Sequence, residues 1–363
     1  MGGAVTTLGI IGLGVISGQY LETLRRVSDV SIAAVADLDA SRAESVAASI
    51  PGCRALTNAE LLADPEIRMV LNLTIPAAHA EVALAAIAHG KDVFGEKPLA
   101  ATFEDATRVI DAATAAGVRV GSAPDTVLGT GVQTARAVID DGRIGQPVSA
   151  SAMWVSAGHE AWHPHPDFYY RRGGGPMLDM GPYYVTSLVQ LLGPVDAVSG
   201  AATRSRDERV IASGPRVGER IGVEVDTHLT GILHHTSGAL STVTMSFDGV
   251  RSTAAPIEVH GVDGSLVVPD PNRFDGEVRL HARGGGWQPV EPGAGYVDAG
   301  RGIGLIDFAS GAARASGAIG LHVLEIMSAL SASAASGRRE TLTTTAERPT
   351  LVPLTPAEVW TAR

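Results

Sequence analysis

The first third of the chain alternates short apolar runs with helical patterns, and its first run, Leu8-Gly9-Ile10-Ile11, ends in a glycine turn, Gly12-Leu13-Gly14-Val15-Ile16-Ser17. A parallel strand pair needs a long crossover, usually a helix, so this alternation predicts a parallel sheet covered on both faces. Further strands are expected at 32–36, 69–73, 92–94 and 118–122, and helices at 17–27, 40–49, 58–63, 78–89 and 103–116, the last ended by Gly117.

The glycines have a mechanical reading. Gly12 permits the tight turn, and Gly14 lets the backbone of Val15 and Ile16 approach a pyrophosphate lying on the free N–H groups of the next helix. Ser17 stands where a third glycine is usual and is small enough for helix–strand packing. Asp37 ends the second strand, where a carboxylate accepts hydrogen bonds from an adenosine ribose and repels a 2′-phosphate. NAD is therefore the expected cofactor, with NADP kept open by Arg42, whose guanidinium can pair with phosphate. The competing role for Asp37 is to cap the following helix, for which Asp39 is a rival.

Two more segments close strands on the edge where ligands of such sheets bind: Thr74-Ile75-Pro76 with His79, and Glu96-Lys97-Pro98. His79 also suits the first turn of an ordinary helix, and Lys97 an ordinary solvated surface. Asp125 and Thr126 follow the last strand, and Asp125 is a candidate substrate contact. The boundary is placed near Pro124, giving domains 1–124 and 125–363.

Downstream, one helix at 131–140 precedes longer alternating or β-branched runs at 148–155, 195–203, 225–234, 240–247, 255–260 and 265–268. They predict a large open antiparallel or mixed sheet, covered on one face by helices at 183–192, 303–313 and 321–335, with 284–286 and 291–302 as surface loops. The fold class is α/β, an N-terminal Rossmann domain followed by a C-terminal α/β domain whose large open sheet is mainly antiparallel.

Charge and cysteine content narrow the partners. Against 39 Asp and Glu there are 28 Lys and Arg, a net −11 with no basic cluster, so nucleic acid is not expected to bind. The single cysteine, Cys53, allows no intrachain disulfide and no thiolate metal site. Runs such as 8–11 and 69–73 are far shorter than the roughly 20 residues of a bilayer span, so no membrane segment is expected. An N-terminus without a basic region or cleavage site gives a cytoplasmic expectation.

Residues 154–172 hold two of the four tryptophans and three of the eleven histidines. Aromatic faces stack on sugar rings and imidazoles bond hydroxyls, so Trp162, His163, His165 and Tyr169 read as substrate contacts. A subunit contact is one alternative, and a metal site of His159, His163 and His165 another. Pro164 and Pro166 prevent a regular helical spacing of these histidines, and no metal is assigned.

Together the Gly12 loop, Val35-Ala36-Asp37, Thr74 to His79, Glu96-Lys97-Pro98 and the stretch from Gly173 to Gly193 resemble the glucose-fructose oxidoreductase, inositol dehydrogenase and rhizopine-catabolism family, Gfo/Idh/MocA. The resemblance implies hydride transfer between a nicotinamide and a hydroxyl-bearing carbon of a sugar, glycoside or cyclitol. It also implies a homodimer or homotetramer built through the C-terminal sheet. Lys97 and Asp179 match the family's catalytic positions, while Tyr183 stands where many members have histidine four residues after the Asp. Residues four apart share a helix face, and Pro182 is expected in the first helical turn, which puts Tyr183 near the positive end of the dipole as a candidate base. The alternatives are a half-buried structural tyrosine, a specific glycoside 3-dehydrogenase, a reductase of small ketones or diols, and a nucleotide-binding regulator without chemistry.

Overall fold

A computed structural model describes residues 5–362. They form two compact units, 5–129 with 294–321 and 352–362, and 130–293 with 322–351. The single cut expected near Pro124 is corrected, because two later segments return to the first unit. Bridges pair Gly121 with Ser316, Gly129 with Tyr296 and Ala294 with Pro353, and the buried Trp360 indole donates to the Val297 carbonyl at 2.8 Å. Pairings across so many residues leave no local pattern to read.

In the first unit, strands β1 (Thr6–Ile11), β2 (Val30–Ala36), β3 (Arg54–Ala55), β4 (Met69–Asn72), β5 (Asp92–Gly95) and β6 (Val120–Ser122) are all parallel in the order β3-β2-β1-β4-β5-β6. Their connections are α1 (Ser17–Leu24), α2 (Ala40–Ala48), α3 (Asn58–Ala63), α4 (Pro76–Ala88) and α5 (Phe103–Ala116). This is the doubly wound nucleotide-binding order. The central strands are apolar because both faces are covered: Leu8, Ile10, Val35, Val70, Leu71 and Phe94 are all buried, each contributing about 1.5–3 kcal/mol. Side chains start the helices where the sequence supplies them: Asp39 caps α2, Thr57 and Glu60 form a capping box on α3, and Thr102 caps α5.

The second unit carries α6 (Thr130–Asp140), β7 (Pro147–Val155), α7 (Asp167–Tyr170), α8 (Pro176–Leu192) and β8 (Val195–Thr203). The short pair β9 (Glu208–Val210) and β10 (Arg220–Gly222) follows, and then β11 (His228–His235), β12 (Leu240–Ser246), β13 (Ile257–Gly261), β14 (Gly264–Val268), β15 (Val278–Ala282) and β16 (Trp287–Val290). After α9 (Ile303–Ala309) of the first unit come α10 (Gly317–Ser336), β17 (Glu340–Thr341) and α11 (Ala357–Thr361). The main sheet runs β16-β15-β14-β13-β7-β12-β11-β8-β17, antiparallel except for the parallel β7–β12 pair. On its inner face Ala150, Ala152, Leu229, Leu233, Val243 and Met245 are buried, and α8 packs over β7, β11 and β12.

Two helices depart from expectation. Helix α8 begins at Pro176 rather than 183, so Pro182 lies inside it and Tyr183 two turns in, beyond the reach of the N-terminal dipole. Asp179, not Tyr183, is the first-turn residue. Helix α10 has 20 residues and a mean hydropathy of 1.4 in its most apolar window, enough by length and composition alone to cross a membrane. Within the second unit it carries buried polar groups that bond the protein: His322 meets Val195 and Thr344, Glu325 meets Thr343 and Thr344, and Ser333 receives the Gly200 N–H. Those contacts are the mark of a core helix.

Candidate active site

The loop after β1 is built by backbone. At Gly12 φ is +93°, and an added Cβ would stand 2.7 Å from the Leu73 carbonyl carbon, so only glycine fits. A Cβ at Gly14 would meet nothing within 4 Å, which leaves that face of the turn open. One oxygen of Asp37 accepts the Leu13 N–H at 2.7 Å and the other the Asp39 N–H at 2.9 Å, tying the end of β2 to the glycine turn. The capping role weighed for Asp37 falls to Asp39, which accepts the Ser41 and Arg42 N–H groups. Arg42 lies 3.3 Å from Asp37 and 3.5 Å from Asp39.

Around this loop three large apolar side chains face solvent: Val15 is 100% exposed, Leu38 99% and Ile75 69%. They follow β1, β2 and β4, on the edge where a dinucleotide lies in this strand order. An open glycine turn, a ribose-height carboxylate and apolar side chains able to cover a flat ring fit NAD. Leu38 was not among the sequence candidates, although an apolar residue directly after the acid was a visible signal, and Ile75 entered only as the middle of the Thr74-Ile75-Pro76 segment.

The other edge residues brace Lys97. The Glu96 carboxylate accepts the Tyr20 O–H at 2.8 Å and the Lys97 N–H at 2.9 Å. Burial, then the charges of Glu96 and Asp125, push the Tyr20 phenol well above its ordinary range, so it stays a donor. The buried His79 ring lies 2.7 Å from the Pro98 carbonyl and 3.0 Å from the Thr74 carbonyl, while Thr74 itself bonds Asn72. Burial lowers the His79 pKa against the pull of those two carbonyls. Glu96 and His79, read from sequence as cofactor contacts, thus clamp the turn on which Lys97 sits, and Pro76 starts α4 at its first position. Asp125, read from sequence as a substrate contact, is 0% exposed, and one oxygen accepts the Gly302 and Gly304 N–H groups at 2.7 and 3.0 Å. Those bonds anchor the entry to α9, and burial raises the Asp125 pKa.

In the second unit Asp179 meets a histidine, but from the aromatic loop rather than from its own helix. Its carboxylate lies 2.7 Å from His159 Nε2. The His159 ring sits among Tyr169 at 4.2 Å, Phe247 at 4.7 Å, Trp162 at 5.1 Å and Trp154 at 6.0 Å between centroids. Trp162 is 58% exposed and Phe168 56%. His163 packs against Trp162, Phe168 and Tyr169 and accepts the His165 N–H, with burial and then His159 lowering its pKa. His165 is exposed. Among the described residues no three His, Cys, Asp or Glu side chains are placed to hold a metal ion. Tyr183 is 6% exposed.

Residues 6–123 match the NAD-binding Rossmann fold of an oxidoreductase family, and residues 132–267 match the GFO/IDH/MocA C-terminal domain. Over 150 residues the chain is 37% identical to inositol 2-dehydrogenase 3 of Saccharopolyspora erythraea, a match spanning 40% of this chain and 44% of that protein. Over 266 residues it is 27% identical to 1,5-anhydro-D-fructose reductase of Ensifer adhaerens, covering 71% of this chain and 74% of that one. A solved NAD binding oxidoreductase from Klebsiella pneumoniae has a TM-score of 0.83 at 24% identity, over 94% of this chain and 100% of its own. A levoglucosan dehydrogenase solved with NADH and L-sorbose has a TM-score of 0.77 at 22% identity, over 93% and 99%. These two likenesses establish the fold.

Proposed function

The chain belongs to the Gfo/Idh/MocA family of NAD-binding oxidoreductases, and from that premise we propose that it moves a hydride between NAD and a secondary hydroxyl carbon of a sugar, glycoside or cyclitol. NAD, when bound, supplies the hydride acceptor. The Gly12–Ile16 turn would hold its pyrophosphate and Asp37 its ribose, with Val15, Leu38 and Ile75 available to cover its apolar surface. As hydride leaves the carbinol carbon, Lys97 takes the hydroxyl proton and the C–O bond becomes a carbonyl. Asp179 accepts a hydrogen bond from the substrate. Tyr183 lies two turns into α8, away from the helix start, and proton transfer is assigned to Lys97.

The observation that carries this reading is the bracing of Lys97: a strand end, a buried carboxylate on its own N–H and a histidine on the next carbonyl fix one lysine at the ligand edge of a nucleotide-binding sheet. The exposed rings of Trp162 and Phe168 favour a glycoside, whose pyranose face offers a stacking surface. Turnover of a panel of glycosides, cyclitols and free sugars with NAD names the substrate. On the best of them Lys97→Ala lowers turnover about 10²–10⁴-fold while NADH fluorescence still reports binding. A variant keeping more than about a tenth of turnover overturns the assignment. We also propose assembly through the outer face of the main sheet, where Ile232 is 41% and Leu240 46% exposed; a monomer in sedimentation equilibrium refutes it.

A further inference from the structure

We propose that His159 is a positioning residue for Asp179, fixing the orientation of its carboxylate through the oxygen it bonds. The inference rests on the role given to Asp179 above. Its first support is how firmly the histidine is moored. The His159 N–H donates to the Tyr170 hydroxyl at 3.1 Å, and that hydroxyl donates to Glu160. Glu160 pairs with Arg209 at 3.0 Å, Arg209 with Asp248, and Asp248 accepts the Thr227 hydroxyl at 2.6 Å. At Gly158 φ is +101°, and an added Cβ would stand 2.2 Å from a Glu160 oxygen, so the turn admits only glycine there.

The second support is the chemistry of the ring. Nε2 must carry the proton to bond a carboxylate, and Nδ1 is buried with no hydrogen-bond partner, enclosed by the aromatic box. His159 is 6% exposed. The groups around it are Asp179 on α8, His163 and Trp162 on its own loop, Tyr169 on α7, Trp154 on β7 and Phe247 just after β12. Other buried histidines of the chain bond the fold through both nitrogens: His79 contacts two backbone carbonyls, and His235 contacts the Gly193 carbonyl and the Ser241 hydroxyl. His159 makes one ring hydrogen bond, and it goes to a carboxylate that is 16% exposed in the first turn of α8. Such a donor orients a carboxylate as a second-layer partner orients a ligand, by locking tautomer and geometry.

The test uses full-length protein labelled with ¹⁵N-histidine, and its kinetics. The expected spectrum shows His159 as the Nε2–H tautomer with a resonance that moves in Asp179→Asn. An Nδ1–H tautomer, or a resonance indifferent to that change, overturns the proposal. On the best substrate His159→Phe lowers kcat on the order of 10²-fold, the scale of a misplaced reacting group, with the KM for NAD unchanged. His159→Gln, which keeps an N–H donor, recovers about tenfold of that loss, and the double variant with Asp179→Asn is no slower than Asp179→Asn alone. Should His159→Phe fail to fold, the Gln variant and the spectrum decide. If Asp179→Asn loses turnover while His159→Phe stays within about twofold of wild type, the positioning role fails and the reading of Asp179 stands. If Asp179→Asn keeps wild-type turnover, that reading fails and takes the positioning role with it.

Discussion

The glycine turn of the first unit and the aromatic loop of the second are held together by different materials. Around Gly12 the contacts are between backbone groups, or from one side chain to backbone N–H groups, as in the Asp37 bonds to Leu13 and Asp39. Around His159 they are between side chains: His159 bonds Asp179, and Arg209 joins Glu160, 49 residues earlier, to Asp248, 39 later. A backbone-built site is specified by where small residues fall along the chain. A side-chain-built site is specified by partners that only folding brings together, and it places charges where each removal leaves another unpaired.

That difference is most exposed at Arg209. Its side chain is 2% exposed, and it neutralises Glu160 and Asp248, 9% and 13% exposed. Arg209→Met leaves two carboxylates without their cation and is expected to lower stability by about 3–5 kcal/mol in urea unfolding. A loss under about 1 kcal/mol breaks the comparison, since the aromatic loop would then not depend on its ion network.

A smaller effect is expected from pH. His322 is fully buried; its Nε2 accepts the Val195 N–H at 3.1 Å and its Nδ1–H donates to Thr344 at 2.9 Å, so a second proton has no place. Burial lowers its pKa to about 4 from the ordinary 6.5. Between these values the unfolded chain takes a proton that the folded one refuses, so stability is complete above about 6.5 and falls as pH drops toward 4. At about 1.4 kcal/mol per pKa unit the loss is at most about 3.5 kcal/mol. His322→Gln flattens that slope in unfolding measured across the window; an unchanged slope assigns it elsewhere.

The same contrast explains what the sequence made legible. The parallel strands, the Gly12 turn and the helices of the first unit follow from periodicities of a few residues and from caps such as Asp39 and Thr57. The return of residues 294–321 to that unit does not, because its bridges are long-range. In the second unit Pro182 is not a start signal: Gly175 and Pro176 open α8, and Pro182 lies in the interior of a helix whose neighbouring side chains are buried. Strands β15 and β16 were missed because Gly284 to Gly286, which join them, read as open loop. Asp179 was legible from its motif, but its partner His159 was visible only as one of several histidines in an aromatic-rich stretch.

The smallest expected effect returns to the first unit and sharpens the comparison from its other side. Asp37 is a side chain in a backbone-built site, so its removal should change what the site binds more than whether the unit folds. The side chain is 9% exposed, and Arg42 is held 3.3 Å away. In Asp37→Ser the carboxylate that repels a 2′-phosphate is gone, and Arg42 is released to pair with one. The NAD to NADP preference, taken as the ratio of kcat/KM values, should fall about tenfold, or about 1.4 kcal/mol. The serine hydroxyl can still accept the Leu13 N–H, so the urea midpoint should move little. If stability falls as it does for Arg209→Met while the preference is unchanged, Asp37 is a structural tie of the glycine turn. The nucleotide end would then be as dependent on buried side-chain charge as the aromatic loop.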